Sequence, residues 1–254
     1  MSTPAAPNVI FPVPLSALVT RSSGHGACAP PHAGFRRAFS TLDDQAIRAA
    51  LREEALLSGQ RASARNDTYV QAEEVPILGG HVRADLMRVS VHAVHVLEIK
   101  SDLDGRGRLA EQARVYSQIA DEVTLVVGRR HLAWALGAAP EWWEVVQAAF
   151  GANGTVELAP ISPRRRNPKA TRLDQLALLS RSALSASLAK IGVFTSPRDP
   201  LSALRSLALA CLTAPEVRLA FANQLTMRGR SDRATGARLA TLPPLRWTEQ
   251  PTFL

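Results

Sequence analysis

A strand–helix–strand pattern in the middle of the chain most constrains its fold. Residues 94–100 are apolar and rich in β-branched side chains until Glu98, and residues 123–127 form a short, fully apolar run. A polar segment with two glycines, followed by a helical pattern to about Ala120, lies between the two runs. Strands this apolar are typical of buried parallel sheets, and such strands are joined by a right-handed crossover. The pattern therefore predicts an α/β protein.

Further strands and helices are predicted on both sides of this unit. Gly79-Gly80 marks a turn between two strand-like segments, and Pro140 ends the helix that follows the second apolar run. The predicted elements are a helix over 41–57 capped by Thr41 or Asp43, a loop over 58–67, strands over 69–78 and 81–89, a helix over 130–136 and a strand over 142–148. Together they predict a mixed β-sheet core flanked by helices.

Changes in composition along the chain predict its domain organisation. Residues 1–40 are rich in Pro, Ala, Ser and Gly without a sustained period, which predicts a flexible leader. An α/β domain is predicted over 41–150, an arginine-rich linker over 151–170, a small all-α domain over 171–230 and a polar tail over 231–254. Thr171, Asp199-Pro200 and Thr213 mark helix starts in the all-α domain.

Composition narrows the classes of function and partner. The net charge of +8 favours a polyanionic partner, although only three of the 30 basic residues are lysine, a bias that genomic base composition could produce by itself. No apolar run reaches the roughly 18 residues that a membrane span needs. Cys28 and Cys211 lack the spacing of a disulfide framework or a zinc site, so a bacterial cytoplasmic protein is expected. The sequence does not predict the oligomeric state.

Charged residues near the ends of two predicted strands indicate a reactive centre. Side chains alternate along a strand, so Glu98 and Lys100 share one face. Arg83 and Asp85 share one face of the preceding strand for the same reason. If those faces coincide, two carboxylates and a lysine converge, and the carboxylates suit Mg²⁺ or Mn²⁺, with the Ile99 carbonyl as a further ligand. The metal would stabilise charge on a scissile phosphate and lower the pKa of a water that the lysine orients.

The helix after this strand carries two more candidate residues. Gln112 and Tyr116 are four residues apart and share the face that packs on the sheet, so the polar Gln112 is predicted to point at the site. Two structural alternatives remain open: Glu98 and Lys100 could form an exposed, salt-bridged strand edge, and Gln112 could merely flank a core helix. The apolar residues before Glu98 make an exposed edge the weaker interpretation, because unpaired buried charge is unfavourable.

These residues resemble the motifs of the PD-(D/E)xK nuclease superfamily. Asp85 stands for the first motif Asp, although Ala84 and not Pro precedes it. Glu98-Ile99-Lys100 stands for (D/E)xK, and Gln112 with Tyr116 is similar to the QxxxY element of RecB-type nuclease domains. The wider stretch EIKSDLDGRGRLAEQARVYSQIADEVTLVVGRRH resembles a bacterial family of predicted nucleases. The resemblance covers about residues 74–148 and is weaker over the helical last third.

The resemblance implies a restriction-endonuclease-like fold and a Mg²⁺- or Mn²⁺-dependent nuclease that hydrolyses phosphodiester bonds, with DNA as the expected substrate. The residues it implies in the active site are Asp85, Glu98, Lys100, Gln112 and Tyr116, with Asp85, Glu98 and Ile99 as metal ligands. The early helix of the family often supplies another acid, for which Glu53 and Glu54 are candidates, with Glu74 as a third. A catalytically inactive nucleic-acid-binding or partner-docking module with the same fold is the alternative.

Arginine clusters are the candidate phosphate contacts. Arg164, Arg165 and Arg166 lie in a proline-flanked segment and are the strongest such candidates, although solvated linker charge explains them nearly as well. Arg83 is a further candidate because it shares a strand face with Asp85. The sequence does not distinguish DNA from RNA or exonuclease from endonuclease activity.

Overall fold

The computed structural model describes residues 41–63 and 69–233, all within one compact unit that begins at Ser40. The predicted leader over 1–40 and the predicted tail from residue 234 onward lie outside the described residues. The strands are β1 (Val70–Ile77), β2 (Val82–Val89), β3 (Val94–Lys100), β4 (Glu122–Gly128), β5 (Glu144–Phe150) and β6 (Val156–Pro160). The α-helices are α1 (Asp44–Ser63), α2 (Leu109–Ile119), α3 (Leu132–Ala138), α4 (Arg172–Leu176), α5 (Arg181–Lys190), α6 (Leu201–Cys211) and α7 (Ala214–Arg233). Among these described helices, none is both long and apolar enough to cross a membrane.

The described strands form one mixed sheet in the order β1 to β6. β3 pairs parallel with β4 and β4 with β5, whereas the other neighbouring pairs are antiparallel. α2 connects β3 to β4, so the predicted strand–helix–strand unit and the mixed α/β class are confirmed. The turn between β1 and β2 contains Gly79 and Gly80 at φ angles of 74° and 94°. These left-handed conformations explain why glycine is favoured there.

Helices cover both faces of the sheet. Alternation along β3 places Val94 and Val96 in one hydrophobic core with α2, and Leu97 and Ile99 in a second core with α1. We call these the α2-side core and the α1-side core. Because both faces are covered, every residue of β3 is buried, including its charged residues. The apolar pattern of this strand therefore reflects its central position.

The C-terminal helices pack in the α2-side core. Leu184 of α5 and Phe221 of α7 belong to the same apolar cluster as Val75 of β1. Asp121, just before β4, accepts a hydrogen bond from the Val94 amide at 2.8 Å and forms an ion pair with Arg218 of α7 at 2.9 Å. The predicted helical C-terminal region is confirmed, but in the described residues its core is continuous with that of the sheet.

The largest differences from the predictions concern the segments after residue 57 and after residue 150. α1 continues to Ser63, so the loop prediction is wrong over 58–63, where Gln60, Arg61 and Ala62 all favour helix. β6 lies inside the predicted linker and pairs antiparallel with β5, so the sheet continues beyond the predicted domain boundary at residue 150. β6 is an edge strand with mostly exposed side chains. Its alternating apolar residues are only Val156 and Leu158, and Pro160 weakens the strand pattern further, so the sequence does not predict this strand.

Candidate active site

A buried polar cluster surrounds Glu98 at the carboxyl end of β3. Lys100 Nζ donates a hydrogen bond to Glu98 Oε1 at 2.6 Å, and both residues are buried. Gln112 Nε2 donates to the same oxygen at 2.5 Å, and the Tyr116 hydroxyl donates to Glu98 Oε2 at 2.7 Å. A buried ion pair persists only when further hydrogen bonds satisfy its remaining atoms. The structure therefore brings four of the predicted residues together and excludes an exposed strand edge.

Asp85 reaches this cluster through a gap between two strands. The pairing of β2 with β3 runs from Val89↔Val94 to Leu86↔Leu97 and then ends. Beyond that point Asp85 Oδ2 accepts a hydrogen bond from the Ile99 amide at 2.7 Å, in place of a backbone acceptor. The N–H and C=O of one strand residue point to the same neighbouring strand. The Ile99 carbonyl consequently opens on the same gap as the Asp85 carboxylate.

The two carboxylates are held from opposite layers of the protein. Arg48 of α1 binds Asp85, whereas Gln112 and Tyr116 of α2 bind Glu98. The Asp85 and Glu98 side chains therefore do not come together simply because they lie on the same face of the sheet. It depends on the gap beside Ile99, where the strands separate and the Asp85 side chain turns toward β3.

Burial raises the pKa values of both carboxyl groups. Burial raises the pKa of Glu98, and the nearby charge of Asp85 raises it further, against the opposing effects of Lys100 and Tyr116. Burial also raises the pKa of Asp85, although the Ile99 amide, Arg48 and Lys100 oppose the rise. Two carboxyl groups that resist ionisation in this way would be stabilised as anions by an added cation. The pKa of Tyr116 is raised as well, by burial and then by the charge of Glu98, so its hydroxyl remains a neutral donor.

The donor atoms fit a hard divalent cation that keeps several waters. Asp85 and Glu98 provide carboxylate oxygens, and the Ile99 carbonyl opens on the same gap. Gln112 Oε1 is buried and has no hydrogen-bond partner among the described residues, which leaves an acceptor free for a water or a ligand. No group of three or more His, Cys, Asp or Glu side chains with metal-binding geometry occurs in the described part of the chain. A set of two carboxylates and one carbonyl suits Mg²⁺ or Mn²⁺.

Arg48 is a site residue that the sequence does not single out. Its guanidinium donates to Asp85 Oδ1 and to the Asp85 carbonyl, both at 2.9 Å, and to Asp44 Oδ2 at 2.6 Å. It also lies 2.7 Å from Glu74 Oε1. The i,i+4 spacing of Asp44 and Arg48 was the available signal, but such a pair is common on exposed helix faces. Only the contact of Arg48 with Asp85 in β2 shows that this arginine belongs to the site.

The three candidate acids occupy different positions. Glu53 is exposed, and Glu54 pairs with Arg88 at 2.6 Å. Glu74 lies opposite Asp85 in the β1–β2 register, at the position between the pairs Glu73↔Leu86 and Val75↔Ala84. Its φ of 52° is unusual for a residue other than glycine and interrupts the ladder at this point. Glu74 is thus the candidate that shares Arg48 with Asp85.

The predicted phosphate contacts fall in two places. Arg83 is exposed beside the site, with its Nε 3.2 Å from Glu74 Oε2. Arg164 pairs with Glu144 at 2.6 Å and lies 3.7 Å from Glu122, at the amino ends of β5 and β4. Lys100 pairs with Val127, five residues along β4 from Glu122, which corresponds to about 16 Å. Arg164, and with it Arg165 and Arg166, therefore lies toward the opposite end of the parallel strands.

Comparison with known protein families places this chain in one of them. The family model described as Bacteriophage P4 protein cII matches residues 38–228, well over half of the chain. The chain therefore belongs to that family. No curated protein and no solved structure matches it. The family description names a phage protein and no activity.

Proposed function

We propose that this member of the bacteriophage P4 cII family is a metal-dependent nuclease that hydrolyses phosphodiester bonds in DNA. The observation that carries the proposal is the cluster of half-buried Asp85 with buried Glu98 and Lys100 beside the gap between β2 and β3. It combines two carboxyl groups of raised pKa with one ammonium group. Its residues resemble the PD-(D/E)xK motifs, and the mixed sheet is compatible with the restriction-endonuclease-like fold that the resemblance implies.

Asp85, Glu98 and the carbonyl of Ile99 would hold the Mg²⁺ or Mn²⁺ ion. When bound, the ion would stabilise negative charge on the scissile phosphate and lower the pKa of a coordinated water. Arg48 holds the Asp85 carboxylate in place, and the Tyr116 hydroxyl holds that of Glu98. Because residues that orient metal ligands are themselves fixed by packing, the ligand geometry would need little rearrangement.

Lys100 and Gln112 would act on the water and on the phosphate. The Lys100 ammonium is fixed against Glu98 and could donate a hydrogen bond to an oxygen that gains negative charge. Gln112 holds the same carboxylate with its amide nitrogen and leaves Oε1 free to accept a hydrogen bond from the attacking water. The two residues would thus orient a nucleophile on the α2 side of the metal ligands.

The decisive experiment compares cleavage by matched variants of the purified protein. Single- and double-stranded DNA and RNA are incubated with Mg²⁺, with Mn²⁺ or with EDTA. We expect metal-dependent cleavage by the wild type and by Lys169→Ala, and none by Asp85→Ala or Lys100→Ala. Lys169 is exposed and lies two residues from Asn167, which bonds to Asp121 at the amino end of β4. Cleavage that survives both site substitutions would assign the activity to a contaminant. Salt-sensitive binding of nucleic acid without cleavage under any condition would instead establish the inactive binding module.

The cellular compartment belongs to the same proposal. Cys211 is an exposed free thiol, and the sequence offers no disulfide framework. We therefore place the enzyme in the reducing bacterial cytoplasm, where DNA is accessible.

A further inference from the structure

Four exposed arginines border the candidate active site. Arg106 and Arg108 lie in the loop between β3 and α2, and Arg129 and Arg130 form the turn that follows β4. β3 and β4 are parallel neighbours, and Lys100 pairs with Val127. Both segments therefore leave the sheet at the carboxyl ends of β3 and β4, where Lys100 lies. We call these four residues the arginine surface.

The two segments of the arginine surface are joined by direct contacts. The Arg130 amide donates to Asp102 Oδ1 at 3.0 Å, and Arg130 Nη1 donates to the Asp102 carbonyl at 3.3 Å. The Arg106 guanidinium lies over the ring of Trp134, 5.4 Å from its centroid. A side chain at Gly128 would collide with the Asp102 carboxylate, so the loop and the turn meet closely only because glycine is present. The arginines are thus carried by one packed surface.

No carboxylate of the described residues pairs with the charges of this surface, although Arg106 lies over Trp134 and Arg130 donates to a backbone carbonyl. Across the residues that the structure describes, none of the four arginines forms an ion pair, whereas Arg48, Arg88 and Arg218 each bind a carboxylate. The acids of the loop are engaged locally. Asp104 accepts hydrogen bonds from Ser101, and the Asp102 carboxylate accepts one from the Arg130 amide. The guanidinium groups consequently remain available to an external anion.

We propose that the arginine surface binds the phosphate backbone of the nucleic acid and guides it to the active site. The inference deepens the proposed nuclease function and rests on it. Guanidinium groups bind phosphate oxygens through paired N–H donors, and a nucleic acid backbone carries one charge per nucleotide on each strand. Four guanidinium groups spread over two segments fit an extended polyanion better than one small anion.

The cluster at Arg164–Arg166 is less suited to this task. Arg164 donates two hydrogen bonds to Glu144 Oε2, and the Glu144 side chain is largely buried. Moving Arg164 to a phosphate would leave that carboxylate without its cation, which is unfavourable in a buried setting. We therefore assign the phosphate contacts near the site to the four arginines at the end of β3 and β4 where Lys100 lies, none of which has a carboxylate partner among the described residues.

The test measures binding separately from cleavage. The binding experiments use Lys100→Ala, so that cleavage does not interfere. The affinity for labelled DNA and RNA oligonucleotides is measured between about 50 and 200 mM salt, where phosphate contacts dominate the change in affinity. The variant pair Arg129→Ala/Arg130→Ala is compared with the control pair Arg165→Ala/Arg166→Ala. We expect the first pair to reduce the slope of log affinity against log salt by about 2, one unit for each arginine that no longer binds a phosphate, and the control pair to leave it unchanged. Arg108→Glu supplies an independent check, and the thermal unfolding midpoint shows whether each variant is folded.

The outcomes separate this inference from the proposed function. An unchanged slope in the first pair, a reduced slope in the control pair, or no binding at all would overturn the arginine surface. A reduced slope in the first pair, together with no cleavage by the wild type, would keep the surface and reject the nuclease. A reduced slope with RNA alone would keep the surface and change the substrate. Cleavage by the wild type that is unaffected by Arg129→Ala/Arg130→Ala at any salt concentration would reject the surface and keep the nuclease.

Discussion

The two ends of the parallel strands both carry buried charge, but their carboxyl groups are paired in different ways. At the amino end, His95 hydrogen-bonds to Thr124, which donates to Glu144, and Arg164 donates twice to the same carboxylate. Burial lowers the pKa of His95 well below its usual value, so the ring is neutral. The Glu144 carboxylate is thus matched by the guanidinium of Arg164, which also lies 3.7 Å from Glu122.

At the carboxyl end the charges and hydrogen bonds are incomplete. Asp85 lies close enough to Glu98 for its charge to raise the pKa of Glu98, and Lys100 donates a hydrogen bond to Glu98. Gln112 Oε1 is buried without a partner among the described residues. The comparison teaches that buried charge alone does not mark a site. An unsatisfied acceptor beside two carboxyl groups that resist ionisation does, because a ligand would complete the set.

The largest expected effect comes from removing one cation at each end. Lys100→Met should lower the cleavage rate by about 10²–10³-fold, because a donor to the developing negative charge is removed. Arg164→Met should leave the rate unchanged and lower the free energy of unfolding by about 1–3 kcal/mol, because buried Glu144 loses its partner. Rates from single-turnover cleavage and free energies from urea denaturation measure both. Equal losses of cleavage rate in Lys100→Met and Arg164→Met would contradict the functional difference between the two ends of the strands.

Metal binding should stabilise the carboxyl end and leave the amino end unaffected. At a 100-fold excess over its Kd, Mg²⁺ should add about 2.7 kcal/mol to the free energy of unfolding. Folded-state pKa values of Asp85 and Glu98 are raised, so without metal their contribution to stability is present at low pH and is lost as pH rises through those values. The metal-dependent gain should follow the opposite course, because the metal binds the ionised carboxylates. Thermal unfolding with and without Mg²⁺ between about pH 5 and pH 8 measures this metal-dependent gain. If the gain persists in Asp85→Asn, the ion binds elsewhere.

Arg48 should link α1 to the metal ligands. Arg48→Ala removes both hydrogen bonds that hold Asp85 from this helix, so activity should fall by about 10–100-fold, the range for residues that orient metal ligands. The Mg²⁺ concentration for half-maximal rate should rise, a change that loss of packing alone would not produce. Arg48→Lys should restore only part of the activity, because an ammonium group lacks the planar fork. An unchanged Mg²⁺ requirement in both variants would reduce Arg48 to a structural role.

Short-range patterns predict part of this site and long-range contacts determine the rest. Alternation along β3 places Glu98 and Lys100 together, and helical spacing places Gln112 and Tyr116 on one face, so both sets are predictable from the sequence. Arg48 is not, because its partner Asp85 is 37 residues away and an arginine-rich chain offers many equivalent candidates. The same limit applies to the fold, in which the central strands are apolar but the edge strand β6 is exposed.

Glu74 shows this limit most clearly, because its role depends on a backbone distortion. Glutamate disfavours positive φ, so nothing in its identity predicts the interruption opposite Asp85. Its position becomes evident only in the register of β1 and β2. The sequence therefore predicts which side chains cluster at the site better than it predicts the residues that hold them in place.

The smallest expected effect tests the hydrogen bond between Tyr116 and Glu98. Tyr116→Phe keeps the ring, which packs 6.0 Å from that of Trp143, and removes only the hydroxyl. That hydrogen bond lowers the pKa of Glu98, so its loss should raise this pKa and move the acid limb of the pH–rate profile to higher pH. At neutral pH the rate should fall by less than about tenfold, since Lys100 and Gln112 still hold the carboxylate. If the profile kept its shape while the rate fell, the hydroxyl would contact the substrate instead, and the balance of charge around Glu98 would depend on the lysine and Asp85 alone.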